Sequence, residues 1–149
     1  MKGRKGYELA ILIHKKMYNL PSVLDKSEKR KLYNEYLALI RKSAYLGYKE
    51  ALFDLGQQYE KISFLGVDNP MYSPKKCVYW YSKACDKGHA EACNNLAALY
   101  EEGIGCEMNL QKAVELYKLS ADLGSINGRG NYRIMLKNIS KGGIYYNKL

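Results

Sequence analysis

The chain repeats itself, and this constrains its fold more than any other feature of the sequence. The segment Ser43-Ala44-Tyr45-Leu46-Gly47-Tyr48-Lys49-Glu50-Ala51, followed by Leu55-Gly56 and Tyr59, returns 41 residues later. There it reads Ala84-Cys85-Asp86-Lys87-Gly88-His89-Ala90-Glu91-Ala92, followed by Leu96-Ala97 and Tyr100. A third copy lies 36 residues further on, at Ser120-Ala121-Asp122-Leu123-Gly124, with Gly128, Tyr132 and Leu136 at the marked positions. The other half of the unit recurs too, Lys76-Cys77-Val78-Tyr79-Trp80-Tyr81 matching Lys112-Ala113-Val114-Glu115-Leu116-Tyr117. The two periods differ because the linker 62–74 is longer than 102–110. A fainter copy opens the chain, placing Gly6, Ala10 and Tyr18 opposite Gly47, Ala51 and Tyr59. Periods of this size mark stacked repeats, each of which needs its neighbours to bury an apolar face.

Small residues (Ala51, Gly56; Ala92, Ala97) and large ones (Leu55, Tyr59; Leu96, Tyr100) recur at the helical spacing of three to five. Small positions let helix axes approach, and large ones fill the neighbour's groove. Gly47, Gly88 and Gly124 fall where one helix ends and the next begins, as glycine caps do. The spacing predicts helices at about 5–18, 26–45, 48–61, 75–86, 90–101, 110–122 and 126–139. The fold class expected is all-α, an α/α right-handed superhelix (a solenoid) with a concave groove. One domain is expected over residues 1–149, with repeats at about 6–46, 47–87 and 88–123. A terminal helix at 124–140 and a flexible tail at 141–149 complete the expected layout.

Charge is unevenly placed. The 149 residues carry a formal net charge of +9, and residues 1–50 hold 12 basic against 5 acidic side chains. Residues 51–100 balance at 5 and 5, and residues 101–149 hold 7 and 5. The N-terminal third therefore suits an acidic partner, or is simply a solvated basic face. Nucleic acid is disfavoured, since no RNP-type motif, zinc-finger spacing or Arg-rich tract is present. There is no run of about 18 apolar residues, so no membrane span is expected. No cleavable leader is read at the start, which leads to a cytoplasmic expectation, or a periplasmic or secreted one if a leader was trimmed.

The motif A-x-x-x-L-G-x-x-Y, then G-x-G, then K-A-x-x-W-Y-x-K-A, resembles the Sel1-like repeat, a relative of the tetratricopeptide repeat. Here it is carried by Ala51, Leu55-Gly56, Tyr59, Gly103-x-Gly105, Lys76-Cys77, Trp80-Tyr81, Lys83-Ala84, Lys112-Ala113 and Leu116-Tyr117. The resemblance covers about 43–136 and reaches back toward Gly6, giving about three and a half repeats. It implies a scaffold or adaptor that binds another protein. In the related tetratricopeptide repeats the residue before the Leu-Gly pair is often a groove-facing Asn that bonds a peptide backbone. The matching positions are Asp54, Asn95 and Asn131, with Gln57, Ala98 and Ile134 one turn on. Asn95 and Asn131 have a second reading, bonding only within the helix pair. Asp54 departs from Asn and, as a carboxylate, cannot donate.

Four cysteines occur, at 77, 85, 93 and 106. Cys77 and Cys106 take small apolar positions of the repeat. The eight-residue spacing of Cys85 and Cys93 is similar to that of the Helicobacter cysteine-rich proteins, a secreted Sel1-like branch in which this pair is a disulfide. Cytosolic thiols would instead stay reduced. A zinc site using Cys85, His89 and Cys93 would need a fourth ligand, so no metal and no cofactor is assigned. Neither His14 nor His89 sits in a nucleophile elbow, metalloprotease helix or phosphate loop, and no catalytic residues are expected. The expectation is a non-catalytic interaction module binding a partner protein, with oligomeric state open. Two narrower readings stand beside it: an immunity or regulatory protein occluding a dedicated toxin or enzyme, or a secreted cysteine-rich relative binding cell-wall or β-lactam-like ligands.

Overall fold

The structure, a computed structural model, describes residues 2–19, 26–61 and 68–141. They form seven α-helices: α1 (Arg4–Asn19), α2 (Lys26–Tyr45), α3 (Lys49–Gln57), α4 (Pro74–Asp86), α5 (Ala90–Glu102), α6 (Leu110–Asp122) and α7 (Ile126–Ser140). The fold is all-α, as the repeat spacing predicts. None of the described helices is long and apolar enough to cross a membrane. Beyond Lys141 the expected tail lies outside the described residues, as do positions 62–67 of the longer linker.

The chain divides into two compact units, residues 1–55 and 56–149. In the first, α1 packs on α2. Its core holds Ala10, Ile13, Tyr36, Leu37, Ile40 and Ala44, joined by Ala51, Leu52 and Leu55 of α3. In the second, α4 packs on α5, α5 on α6, and α7 on both α5 and α6. Its core runs through Cys77, Trp80, Tyr81 and Ala84 to Cys93, Leu96 and Ala97, then to Ala113, Tyr117 and Met135. The residues at 0% exposure include Ala51, Ala84, Ala92, Ala97 and Ala113, the small positions of the repeat. Their missing bulk is what allows the helix axes to close up.

The turns follow the periodicity. Gly47, Gly88 and Gly124 have φ of 78°, 76° and 97°, the left-handed region open to glycine at little cost. One expectation needs correction. The third helix ends at Gln57 rather than near 61. Past that point the backbone tightens into i→i−3 bonds, Tyr59 N–H to the Gly56 carbonyl and Glu60 N–H to that of Gln57. Asn69 holds the new course, donating from Nδ2 to the carbonyls of Gln58 at 2.7 Å and Glu60 at 2.8 Å. At the other end, α1 begins at Arg4, within one residue of the expected start, and the Tyr7 N–H bonds the carbonyl of Gly3, whose φ is 89°.

Candidate partner-binding surface

The residues matched to groove positions occur in both units. Asp54 lies in the first, half-buried on α3, where the side chain of Tyr7 is hydrogen-bonded to it. Burial pushes its carboxyl up to about 6, the Tyr7 hydroxyl pulls it back, and Glu50 one turn earlier adds to the rise. The same burial, and then the Asp54 charge, raise the Tyr7 hydroxyl. Gln57, the first matched residue of the second unit, is exposed at the end of α3.

In the second unit, α5 carries Asn95 and Ala98, both half-buried, and α7 carries half-buried Asn131 and exposed Ile134. The structure links the two asparagines through a third. Asn131 Nδ2 donates to Asn94 Oδ1 at 2.8 Å, and Asn94 Nδ2 donates to Asn95 Oδ1 at 3.3 Å. The Asn95 side chain is also hydrogen-bonded to Tyr81, whose hydroxyl donates to Glu60 Oε1. The outcome is a polar chain Glu60–Tyr81–Asn95–Asn94–Asn131 that ties α4, α5 and α7 together. Ile134 stands clear of it at 59% exposure.

Asn94, the middle member, is missing from the residues that the motif selects. It is 9% exposed, and the repeat places Phe53 and Gly130 at the same position, so periodicity gives no hint of it. The Tyr81–Glu60 pair, in contrast, was open to discovery. Its equivalent one unit on is Tyr117 Oη donating to Glu101 Oε2 at 2.8 Å, and both members recur at the repeat spacings. A second recurring contact sets Lys76 Nζ 4.7 Å from the Tyr59 ring centre and Lys112 Nζ 4.4 Å from that of Tyr100.

Cys85 and Cys93 are joined across the Gly88 turn with Cα atoms 4.8 Å apart. His89 Nδ1 accepts the Ala92 N–H at 3.1 Å and so caps α5. The three side chains weighed for zinc are thus engaged with other partners. Cys77 is buried, its Sγ 3.8 Å from the Gly56 carbonyl, and burial followed by the Glu60 charge pushes its thiol up to about 11. Cys106 is half-buried and directs its Sγ to the Leu99 carbonyl at 3.5 Å.

The start of α7 is fastened to the start of α5. Ser125 Oγ donates to Glu91 Oε1 at 2.5 Å and Asn127 Nδ2 to Glu91 Oε2 at 3.0 Å, while Ser120 Oγ, near the end of α6, donates to the Ala90 carbonyl at 2.8 Å. The helices bearing Asn95 and Asn131 are therefore held in register at their starts as well as through Asn94.

Among solved structures, a Sel1 repeat protein from Oxalobacter formigenes is 31% identical with a TM-score of 0.56, covering 65% of this chain and 37% of its own. Cysteine-rich protein B of Helicobacter pylori shares 23% identity over 66% of this chain and 70% of its own, with a TM-score of 0.58. A protective antigen of uropathogenic Escherichia coli with an SLR fold covers 94% of this chain and 26% of its own. Its TM-score is 0.67 at 24% identity. Below 25% identity the likeness is one of fold. Among curated proteins, the rat DAP3-binding cell death enhancer 1 is 29% identical over 89 residues. That match takes in 60% of this chain but only 16% of the relative. The sequence pattern of the Sel1 repeat matches residues 49–89 and 90–125, just over half of the chain, which belongs to the Sel1 repeat family.

Proposed function

We propose that the chain is a non-catalytic interaction module that takes a segment of a partner protein on the helix face bearing Asn95, Ala98, Asn131 and Ile134. Sel1 repeat proteins are generally protein-interaction scaffolds and typically non-catalytic, which is the coarse part of this reading. The observation that carries the finer part is the fixed pairing of α5 with α7. Asn94 and Asn131 hold them together, leaving Ile134 59% exposed beside half-buried amides. Apolar anchors beside amides suit an extended segment, which brings both side chains and unpaired backbone groups. Gln57 is a further matched position of the same unit, and the basic N-terminal third favours an acidic partner. The rat relative is named for binding another protein, DAP3, in keeping with this class of activity.

The test is affinity capture followed by titration with the purified partner. Ile134→Glu adds a charge at an exposed position without touching the asparagine chain. It is expected to weaken the complex by about tenfold with no change in melting temperature. The double change Asn95→Ala, Asn131→Ala should weaken it further. Undiminished binding by Ile134→Glu overturns the assignment of this face.

The bridged pair Cys85–Cys93 supports an oxidising compartment, the periplasmic or secreted expectation, over the cytoplasmic one.

A further inference from the structure

Arg129, Arg133 and Lys137 stand four residues apart on α7, and Lys141 continues the row just past its end. All four are exposed, and none joins an ion pair among the described residues. Residues at this spacing share one helix face, where like charges oppose helix formation. Other helices relieve such charge. Arg4 pairs with Glu8 on α1 at 2.8 Å, and Lys118 with Asp122 on α6 at 3.0 Å. Helix α7 contains no Asp or Glu, so nothing on the helix itself offsets the row.

The repeat shows what this face does one period earlier. Arg129, Arg133, Leu136 and Lys137 occupy the positions of Cys93, Ala97, Tyr100 and Glu101 on α5. There α6 packs on the face. Ala97 is 0% exposed and shares a core cluster with Ala113 and Tyr117 of α6, and Glu101 accepts the Tyr117 hydroxyl at 2.8 Å. Tyr100 holds Lys112 Nζ over its ring. On α7 the chemistry of this face is reversed. An arginine stands in place of the small Ala97, and a lysine donor in place of the Glu101 acceptor. Leu136, 44% exposed, replaces the ring that holds a cation. A further copy of α6 would bring a lysine and a hydroxyl donor to a face of cations, and is disfavoured.

We propose that this face of α7 docks an acidic α-helix of another protein, seated as α6 is seated on α5. Ala113 and Tyr117 are four residues apart on α6. A helix in the corresponding place meets Arg133 and Lys137 with carboxylates at that same spacing. Where α6 has Lys112, Leu136 calls for an apolar residue immediately before the first carboxylate. The occupant is thus an amphipathic helix of the pattern Leu-Glu-x-x-x-Glu. Ile126, 83% exposed and one to two turns before Arg129 and Arg133, extends the apolar margin of the face. Residues 142–149 contain no Asp or Glu, so that stretch brings no such counter-charge. Asn131, two residues before Arg133, points to another side of α7, which separates this docking from the segment bound beside Asn95 and Asn131.

The test titrates the full ¹⁵N-labelled chain with a helical peptide of about 20 residues built from Leu-Glu-Ala-Ala units, and with its Leu-Gln-Ala-Ala counterpart. The Glu peptide is expected to shift the amides of residues 129–137 saturably. It should bind at least about tenfold more tightly than the Gln peptide, with an affinity that falls as salt is added. The double variant Arg133→Ala, Lys137→Glu restores the α5 pattern at two exposed positions. It should lose at least about tenfold in affinity, with a melting temperature unchanged or raised. The variant Arg133→Glu, Lys137→Glu should instead bind a peptide of Leu-Lys-Ala-Ala units, an exchange that a general attraction to the basic N-terminal third cannot produce. Shifts confined to α1 and α2, equal binding of the Glu and Gln peptides, or binding unchanged in the double variant overturns the proposal. So does displacement of the Glu peptide from α7 by phosphatidylglycerol vesicles or by single-stranded DNA, which assigns the row to a membrane surface or to a nucleic acid.

Discussion

Asp54 occupies a motif position where the other two repeats have Asn, and its surroundings turn that difference into a pH dependence. Its carboxyl titrates near 6 in the folded chain against 3.8 for the free group. Between those values the folded state keeps a proton that the unfolded state has released, so stability falls as pH rises from about 4 to about 6. Asp54→Asn retains an acceptor for Tyr7 and removes the buried charge. At neutral pH it is expected to stabilise the chain by about 2–3 kcal/mol, an advantage that vanishes below about pH 4. Melting temperatures of both proteins across that range check it, and a difference independent of pH refutes it. Gly56 shows the opposite sensitivity. A methyl group there would lie 2.5 Å from the Tyr81 ring, so Gly56→Ala should cost about 1–3 kcal/mol, read as a lower urea midpoint. The repeat has Ala97 at the matching position, so the sequence gives Gly56 as a small residue but not as one that must be glycine.

Helices were legible wherever a glycine or a capping side chain marked their ends. The boundaries expected for α4 to α7 fall within one residue of those observed, and Gly88 and Gly124 punctuate them. At α3 no such mark exists, and the helical spacing of Leu55, Gly56 and Tyr59 runs past the true end at Gln57. What ends the helix is Asn69, a residue distant in sequence that bonds the freed carbonyls, and periodicity carries no trace of it. The asparagine chain was half legible for the same reason. Asn95 and Asn131 sit on repeat positions, and Asn94 does not. The turn between α4 and α5 carries its own prediction. The bridge closes a short loop, so Cys85→Ser with Cys93→Ser should lower stability by about 2–3 kcal/mol. Hydrogen exchange locates the effect: amides of α4 and α5 should exchange faster, while those of α1 and α2 keep their protection.

For the chain as a whole, thiol chemistry gives a count that any preparation can be tested against. Native protein should label at half-buried Cys106 well before buried Cys77. Denaturation without reductant should expose two thiols, and reduction should expose all four. Four thiols without reductant would place the chain in a reducing compartment. The charge is just as unevenly divided, with seven of the nine net positive charges in residues 1–50. The bridge and the asparagine chain belong instead to residues 56–149. The recurring hydroxyl–carboxylate contact has a consequence for how such a chain can change in length. Tyr81 reaches back to Glu60, and Tyr117 reaches back to Glu101. Each period thus contributes one donor to the joint behind it and one acceptor to the joint ahead. Deleting or doubling a whole period leaves every donor facing an acceptor, so the molecule can be shortened or extended by copying without stranding a buried hydroxyl.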